Sequence, residues 1–174
     1  MEASQVCQII QGSARQYFPG AAVRCIPMAD GGEGMVDAYL KLLGGRKVLL
    51  SVQGLQGRRV ACYYGILPDG TAVMEMAACA GLPLLDGALD PMHTTTYGVG
   101  EMLLHAERNG VRRVLLGIGG SATVDCGLGM AAALGYRFLN KDGAAVEAVT
   151  CHMAEIAAIV PPARKPALDI IAAC

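Results

Sequence analysis

Three stretches of this chain group carboxylates, hydroxyls and glycines closely enough to do chemistry. The densest is residues 117–129, where five glycines, Ser121, Thr123 and Asp125 fall within thirteen positions. Residues 28–34 read Met-Ala-Asp-Gly-Gly-Glu-Gly and set Asp30 and Glu33 among three glycines. Residues 94–96 are three consecutive threonines. Glycine lets a ligand approach the main chain closely and permits positive φ. Backbone N–H groups at a glycine loop that opens a helix converge on an anion, which hydroxyls can also hold. A carboxylate in such a loop serves as a proton acceptor or as a hard oxygen ligand for Mg²⁺.

Three readings compete for residues 117–129. Gly117, Gly119 and Ala122 fit the loose pattern G-x-G-x-x-[GA] of a dinucleotide site, with Asp142 about 20 residues further on. Asp125 opposes that reading, because a carboxylate there repels a pyrophosphate unless a cation lies between them. A metal–nucleotide or phosphoryl-transfer site accounts for the acid and the hydroxyls together. A tight packing turn is the third reading. For residues 28–34 the alternative to function is that Asp30 caps the next helix, which leaves Glu33 and the glycines unexplained. Residues 94–96 either cap a helix or hold a substrate carboxylate or phosphate.

These stretches need elements to position them. Residues 114–118 form a short apolar run typical of a buried parallel strand. Residues 130–134 read as a helix that stops at Gly135, before a strand at 136–139. Upstream, residues 2–17 have helical spacing, 21–27 read as a strand and 36–43 as a helix ended by Gly44-Gly45. Residues 46–53, 58–67 and 71–76 read as three meandering strands joined by turns at 54–57 and 68–70. That change of period places a domain boundary near residue 45. Glu75 stands in an otherwise apolar segment and requires either hydrogen bonds or a function. A helix carrying Met102, Leu103 and Ala106 follows the threonines and ends at Gly110. After Pro161-Pro162, residues 168–173 read as a strand in which the chain stops, which suggests a piece of something longer.

Composition narrows the classes. The 174 residues are 53% hydrophobic and 17% charged, with a formal net charge of −1. No basic cluster exceeds a pair, so neither nucleic acid nor a membrane surface is an expected partner. No apolar run approaches the ~18 to 20 residues of a membrane span, and no signal peptide is evident. Seven cysteines without a C-x-x-C pattern point to reduced thiols and a cytoplasmic location.

Taken together, the motifs resemble the glycerate kinases of the bacterial type-1 family. Residues 28–34 are similar to the family's MADGGEGT, with Met35 in place of Thr. Residues 94–101 are similar to TTTYGTGE, with Val99 for Thr, and residues 117–130 resemble GIGGSATNDGGxGM, with Val124 for Asn and Cys126 for Gly. Residues 64–67 and 75–78 also match. The resemblance covers essentially the whole chain, in the family's order and spacing. It implies an α/β fold of two domains, a Rossmann- or flavodoxin-like first domain and a second α/β domain inserted into it. On that mapping residues 1–45 belong to the first domain, and residues 46–174 to the insertion, incomplete at its C-terminus. It also implies a preceding strand with a lysine-bearing PDSFKG-like loop, and DVxNPL-like, FGPQKGA-like and GEG-x-x-D-x-QS segments beyond residue 174.

The implied activity is transfer of the ATP γ-phosphoryl group to a hydroxyl of D-glycerate, with ATP and Mg²⁺ as cofactors and glycerate and nucleotide as the small-molecule partners. Asp30 and Asp125 are the expected catalytic acids and Mg²⁺ ligands. Gly31, Gly32, Glu33, Thr95, Thr96, Gly119, Gly120, Ser121 and Thr123 are the expected substrate- and phosphate-binding positions. None of the three motif loops contains a Lys or Arg, although phosphoryl transfer uses cations on the phosphates. The alternative is therefore an inactive fragment or a non-catalytic binding module of the same fold. The three motifs are expected to line one cleft at the carboxyl ends of strands, between two domains. Apolar surface exposed beside it would favour self-association into a homo-oligomer.

Overall fold

The computed structural model describes residues 3–26, 28–85, 87 and 89–174. It is a mixed α/β fold. Helix α1 (Ala3–Tyr17) and helix α2 (Met35–Leu43) precede the strands β1 (Arg46–Gln53), β2 (Arg59–Ile66) and β3 (Ala72–Glu75). A short helix α3 (Ala77–Ala80) leads through two 3-10 turns to α4 (Tyr97–Arg108) and strand β4 (Arg113–Gly117). Helix α5 (Leu128–Ala133), the short strands β5 (Arg137–Leu139), β6 (Ala145–Val146) and β7 (Ala158–Val160), and β8 (Asp169–Ala173) complete the chain.

The main sheet has the order β1-β2-β3-β4-β8. The expected meander forms, β1 pairing with β2 and β2 with β3 antiparallel, while β3, β4 and β8 run parallel. A second, antiparallel sheet of order β6-β5-β7 stands apart. Its strands are only two to three residues long, and β6 and β7 carry no periodic signal strong enough to place them in advance.

Strand alternation decides what each face packs against. Ala72, Met74, Val114 and Leu116 point to one side and join Val99, Met102, Leu103 and Ala106 of α4 in the main core. Val73 and Leu115 point to the other and meet Met35, Val36 and Leu40 of α2. Residues on both sides of position 45 thus share one core.

The strand expected at residues 21–27 does not form over 21–26, which carry no regular structure. A strand needs a neighbour for its backbone hydrogen bonds, and this segment lies along α1 instead. Gln11 Nε2 donates to the Val23 carbonyl at 3.2 Å, and Cys25 Sγ to the Cys7 carbonyl at 3.3 Å. Glu2 and Pro27, the expected first residue of the helix and last of the strand, lie outside the described residues. Helix α1 forms as expected, but Val6, Ile9, Ile10 and Tyr17 on it remain exposed. Among the described residues no helix is long and apolar enough to cross a membrane.

Candidate functional site

The carboxyl ends of β3, β4 and β8 meet at one edge of the sheet, where two glycine turns interlock. Gly117 and Glu75 face α2, one after the other across the β3–β4 pair. A Cβ added to Gly117 would stand 2.2 Å from the Gly31 carbonyl oxygen, and one added to Gly119 would stand 2.7 Å from the Gly32 nitrogen. Gly31 itself sits at φ +86° against the Ala173 carbonyl at the end of β8. The Gly119 N–H donates to the Gly31 carbonyl at 3.1 Å, and the Ile118 N–H to Ala173 at 3.0 Å. Glycine is required at these positions because three backbones approach where side chains would stand.

Asp30 lies on the exposed rim of this junction. Its Oδ1 accepts the Gly32 N–H at 3.1 Å, and its Oδ2 has no partner among the described residues. It does not cap α2. The N-cap is Gly34, at φ +92° and without a side-chain bond. The cap comes instead from β3, where Glu75 Oε1 accepts the Val36 N–H at 2.7 Å. Burial pushes the Glu75 carboxyl above its usual range, against the stabilising N–H groups of Val36 and Gly34, and the nearby charges of Asp37 and Glu33 push the same way. Glu75 therefore has the hydrogen-bonded role that its apolar surroundings demanded. Glu33 is exposed, with its carboxylate over Gly120, where an added Cβ would stand 2.7 Å from Oε2.

Asp125 differs from its expected role as catalytic acid and Mg²⁺ ligand. It is 1% exposed and ties two helix N-termini together. Oδ2 accepts the Thr96 N–H and the Thr96 hydroxyl, both at 2.8 Å, and the Gly129 N–H at 3.0 Å, while Oδ1 accepts the Gly127 N–H at 3.1 Å. With four donors around it and almost no exposed surface, this carboxylate has its hydrogen-bonding capacity taken up by protein groups. Thr96 Oγ1 in turn accepts the Met130 N–H at 2.9 Å. Thr95 is buried against Gly129 and accepts the Tyr97 N–H at 3.2 Å. Thr94 donates to the Ala122 carbonyl at 3.1 Å. Thr96 is the N-cap residue of α4 but makes no side-chain cap bond to it, and the hydroxyls of Thr94 and Thr96 instead dock the start of the helix onto residues 122–130. Ser121 and Thr123 are half-buried, and their hydroxyls pair at 2.7 Å.

The motifs are contiguous, because residues 119–130 touch the Asp30 turn at one end and the threonines at the other. They do not line one cleft. The cavity beside them, about 500 Å³, takes only Met28, Glu33 and Gly34 from the motifs among the described residues. Its other walls come from the start of α1, from α2, β2 and residues 75–84, among them Asp37, Lys41, Tyr63 and Glu75. Tyr63 OH donates to Asp37 Oδ2 at 3.1 Å, and Lys47 Nζ reaches Asp37 Oδ1 at 2.7 Å while lying 4.1 Å above the Tyr63 ring. The hydrogen bond to Asp37 raises the Lys47 ammonium above its ordinary value, and burial followed by the Asp37 charge raises the Tyr63 phenol. Burial also pushes the Cys62 thiol in this wall up to about 11, so it lines the cavity as a neutral group.

Sequence reasoning missed these groups because it searched loops. Asp37 and Lys41 stand at i, i+4 on α2, a spacing that puts both on one helix face, and Lys41 brings to this cavity the cation that the loops lack.

The whole chain, residues 1–174, matches the glycerate kinase family. It is 43% identical over 145 residues to the glycerate kinase of Halalkalibacterium halodurans, covering 82% of this chain and 38% of that one. It is 42% identical over 145 residues to the glycerate 2-kinase of Escherichia coli K12, with the same coverage of 82% and 38%. A crystal structure of a protein assigned as glycerate kinase 2 from Salmonella typhimurium LT2 superposes with a TM-score of 0.81 at 37% identity, covering 99% of this chain and 47% of that one. The chain spans less than half the length of these relatives.

Proposed function

This chain belongs to the glycerate kinase family, and we propose that it supplies part of the active site of an ATP-dependent kinase whose acceptor is a hydroxyl of D-glycerate. One observation carries the reading. The Asp30 turn is packed onto the Gly117–Gly120 turn at the carboxyl ends of three parallel strands, with a carboxylate oxygen on the exposed side that has no partner among the described residues. Ligands of open α/β sheets bind at that edge.

In this reading Asp30 Oδ2 accepts the proton of the attacking hydroxyl, its rotamer steadied by the Gly32 N–H on Oδ1. Phosphate oxygens lie against the main chain at Gly119 and Gly120, beside the Ser121 and Thr123 hydroxyls, and Gly31 and Gly32 let the Asp30 turn pack close against that loop. Among the described residues no group of three or more metal-ligating side chains exists. The donors fit a Mg²⁺ that arrives on the nucleotide phosphates and takes only one or two carboxylates, here Asp30 and Glu33. Once bound, that ion neutralises charge on the transferred phosphoryl group. Asp125, Thr95 and Thr96 act one layer behind, holding the helices that bear the loop. Lys41 is the cation among the described residues that line the adjoining cavity.

The test is a coupled ADP-release assay with D-glycerate and Mg-ATP on a protein of full family length carrying these residues. Asp30→Asn should lower turnover by ~10² to 10⁴, with the fold retained. Near-normal kcat in that variant would remove Asp30 from the chemistry. The 174-residue chain by itself should show no turnover, because the motif loops hold no Lys or Arg. Turnover of ~1 to 10³ s⁻¹ from it would instead show that these residues suffice. The same absence of cations favours the second reading, a non-catalytic module of this fold, which the assay separates from the first.

A further inference from the structure

At the opposite end of the parallel strands lies a second cavity of about 390 Å³, with Arg108, Arg112, Arg164 and Lys165 on its walls. Arg112 immediately precedes β4 and Lys165 shortly precedes β8, so this cavity is about 16 Å, one five-residue strand, from the glycine turns. Four of the chain's 14 cationic side chains converge here, although its formal net charge is −1.

Among the described lining residues the one acid compensates only one of them. Glu107 is 13% exposed, and its Oε1 accepts the Ala167 N–H at 2.9 Å and pairs with Arg164 Nη2 at 3.3 Å. Those bonds clip the segment before β8 onto α4 and build the wall. Arg108 and Lys165 have no hydrogen bond or ion pair among the described residues, and the Arg112 guanidinium makes only a 3.5 Å contact to its neighbouring carbonyl at Val111. A helix C-terminus favours cations and so accounts for Arg108 in the last turn of α4. It does not account for Arg112, Arg164 and Lys165, which come from two other segments.

We infer that this cavity is a binding site for a small phosphate-bearing anion, separate from the glycine turns. Guanidinium groups match phosphate oxygens in bidentate geometry, and three uncompensated cations suit an anion with more than one charge. The cavity, with Leu104, Leu134 and Pro166 beside the charges, has room for a pyrophosphate or a small phosphate ester.

Isothermal titration of the 174-residue chain with pyrophosphate, inorganic phosphate and citrate tests this. Pyrophosphate should bind saturably and more tightly than inorganic phosphate, and its affinity should fall as salt rises. The exposed pair Arg112→Glu with Lys165→Glu should weaken it at least tenfold with an unchanged melting curve, Lys165→Arg should retain it, and Ser121→Ala at the glycine turns should leave it unaffected. The inference fails if no saturable binding occurs at millimolar pyrophosphate, if the charge-reversed pair binds normally, or if Ser121→Ala abolishes binding. Tighter binding of citrate than of pyrophosphate would also overturn it, in favour of a carboxylate site.

Discussion

The Asp30 turn and the Asp125 turn each carry an acid among glycines just ahead of a helix, yet they hold those acids in opposite ways. Asp30 stands on the surface with one oxygen tied to Gly32 and the other without a partner among the described residues. Asp125 is enclosed, with four donors from two helix N-termini. The difference lies in what packs against each turn. Backbones approach the Asp30 turn from below, at Gly117, Gly119 and Ala173, and leave its side-chain face open. The Asp125 turn is roofed by residues 94–97, which bring N–H and hydroxyl donors onto the carboxylate itself. A carboxylate becomes available for chemistry when the groups that satisfy it come from one side only.

The largest expected effect breaks the buried turn. Asp125→Ala leaves the donors of Thr96, Gly127 and Gly129 unpaired inside the protein and should cost about 3 to 5 kcal/mol in urea unfolding. A loss below about 1 kcal/mol would show that Asp125 is not the joint between α4 and α5.

Gly129→Ala should cost somewhat less, about 1 to 3 kcal/mol, since its Cβ would stand 2.0 Å from Thr95 Oγ1 and 2.7 Å from the Tyr97 nitrogen. Gly34→Ala in the other turn meets nothing within 4 Å and carries only the strain of φ +92°, about 1 to 2 kcal/mol. Equal melting temperatures for the two variants would erase the contrast.

Glu75→Gln sharpens the comparison through pH. A carboxyl raised above its ordinary value near 4.5 binds its proton more readily in the folded state. Its stabilising contribution is therefore full below that value and is lost as pH rises through the raised one. Glutamine keeps an oxygen for the Val36 N–H without the buried charge. The variant should be as stable as the parent or more so at pH 7, with the difference vanishing toward pH 4. Parallel stability curves across that range would show that the charge has no cost there.

The smallest effect is the most informative about function. Asp30→Asn should leave unfolding unchanged within about 0.5 kcal/mol, as expected for an exposed side chain. A larger loss would make Asp30 a structural residue like Asp125.

Much of the architecture was legible beforehand because it rests on local signals. The strand-like runs 46–53 and 58–67, the turns at 54–57 and 68–70, and the apolar run 114–118 each define an element without reference to the rest. Family membership was legible for the same reason, since three motifs kept their order and spacing. What those signals could not supply was a partner. Residues 21–26 have strand composition but no strand beside them, and the threonines before α4 have ligand chemistry but face Ala122, Asp125 and Gly129.

The sequence by itself determined that this is an α/β chain of the glycerate kinase family, and that its acids, hydroxyls and glycines concentrate in three loops. Only the tertiary structure decided which acid is exposed and which is enclosed, that Glu75 rather than Asp30 caps α2, and that four cations from three segments surround one cavity. Side-chain type and spacing act along a few residues, whereas solvent access and hydrogen-bond saturation depend on atoms tens of residues away in the chain.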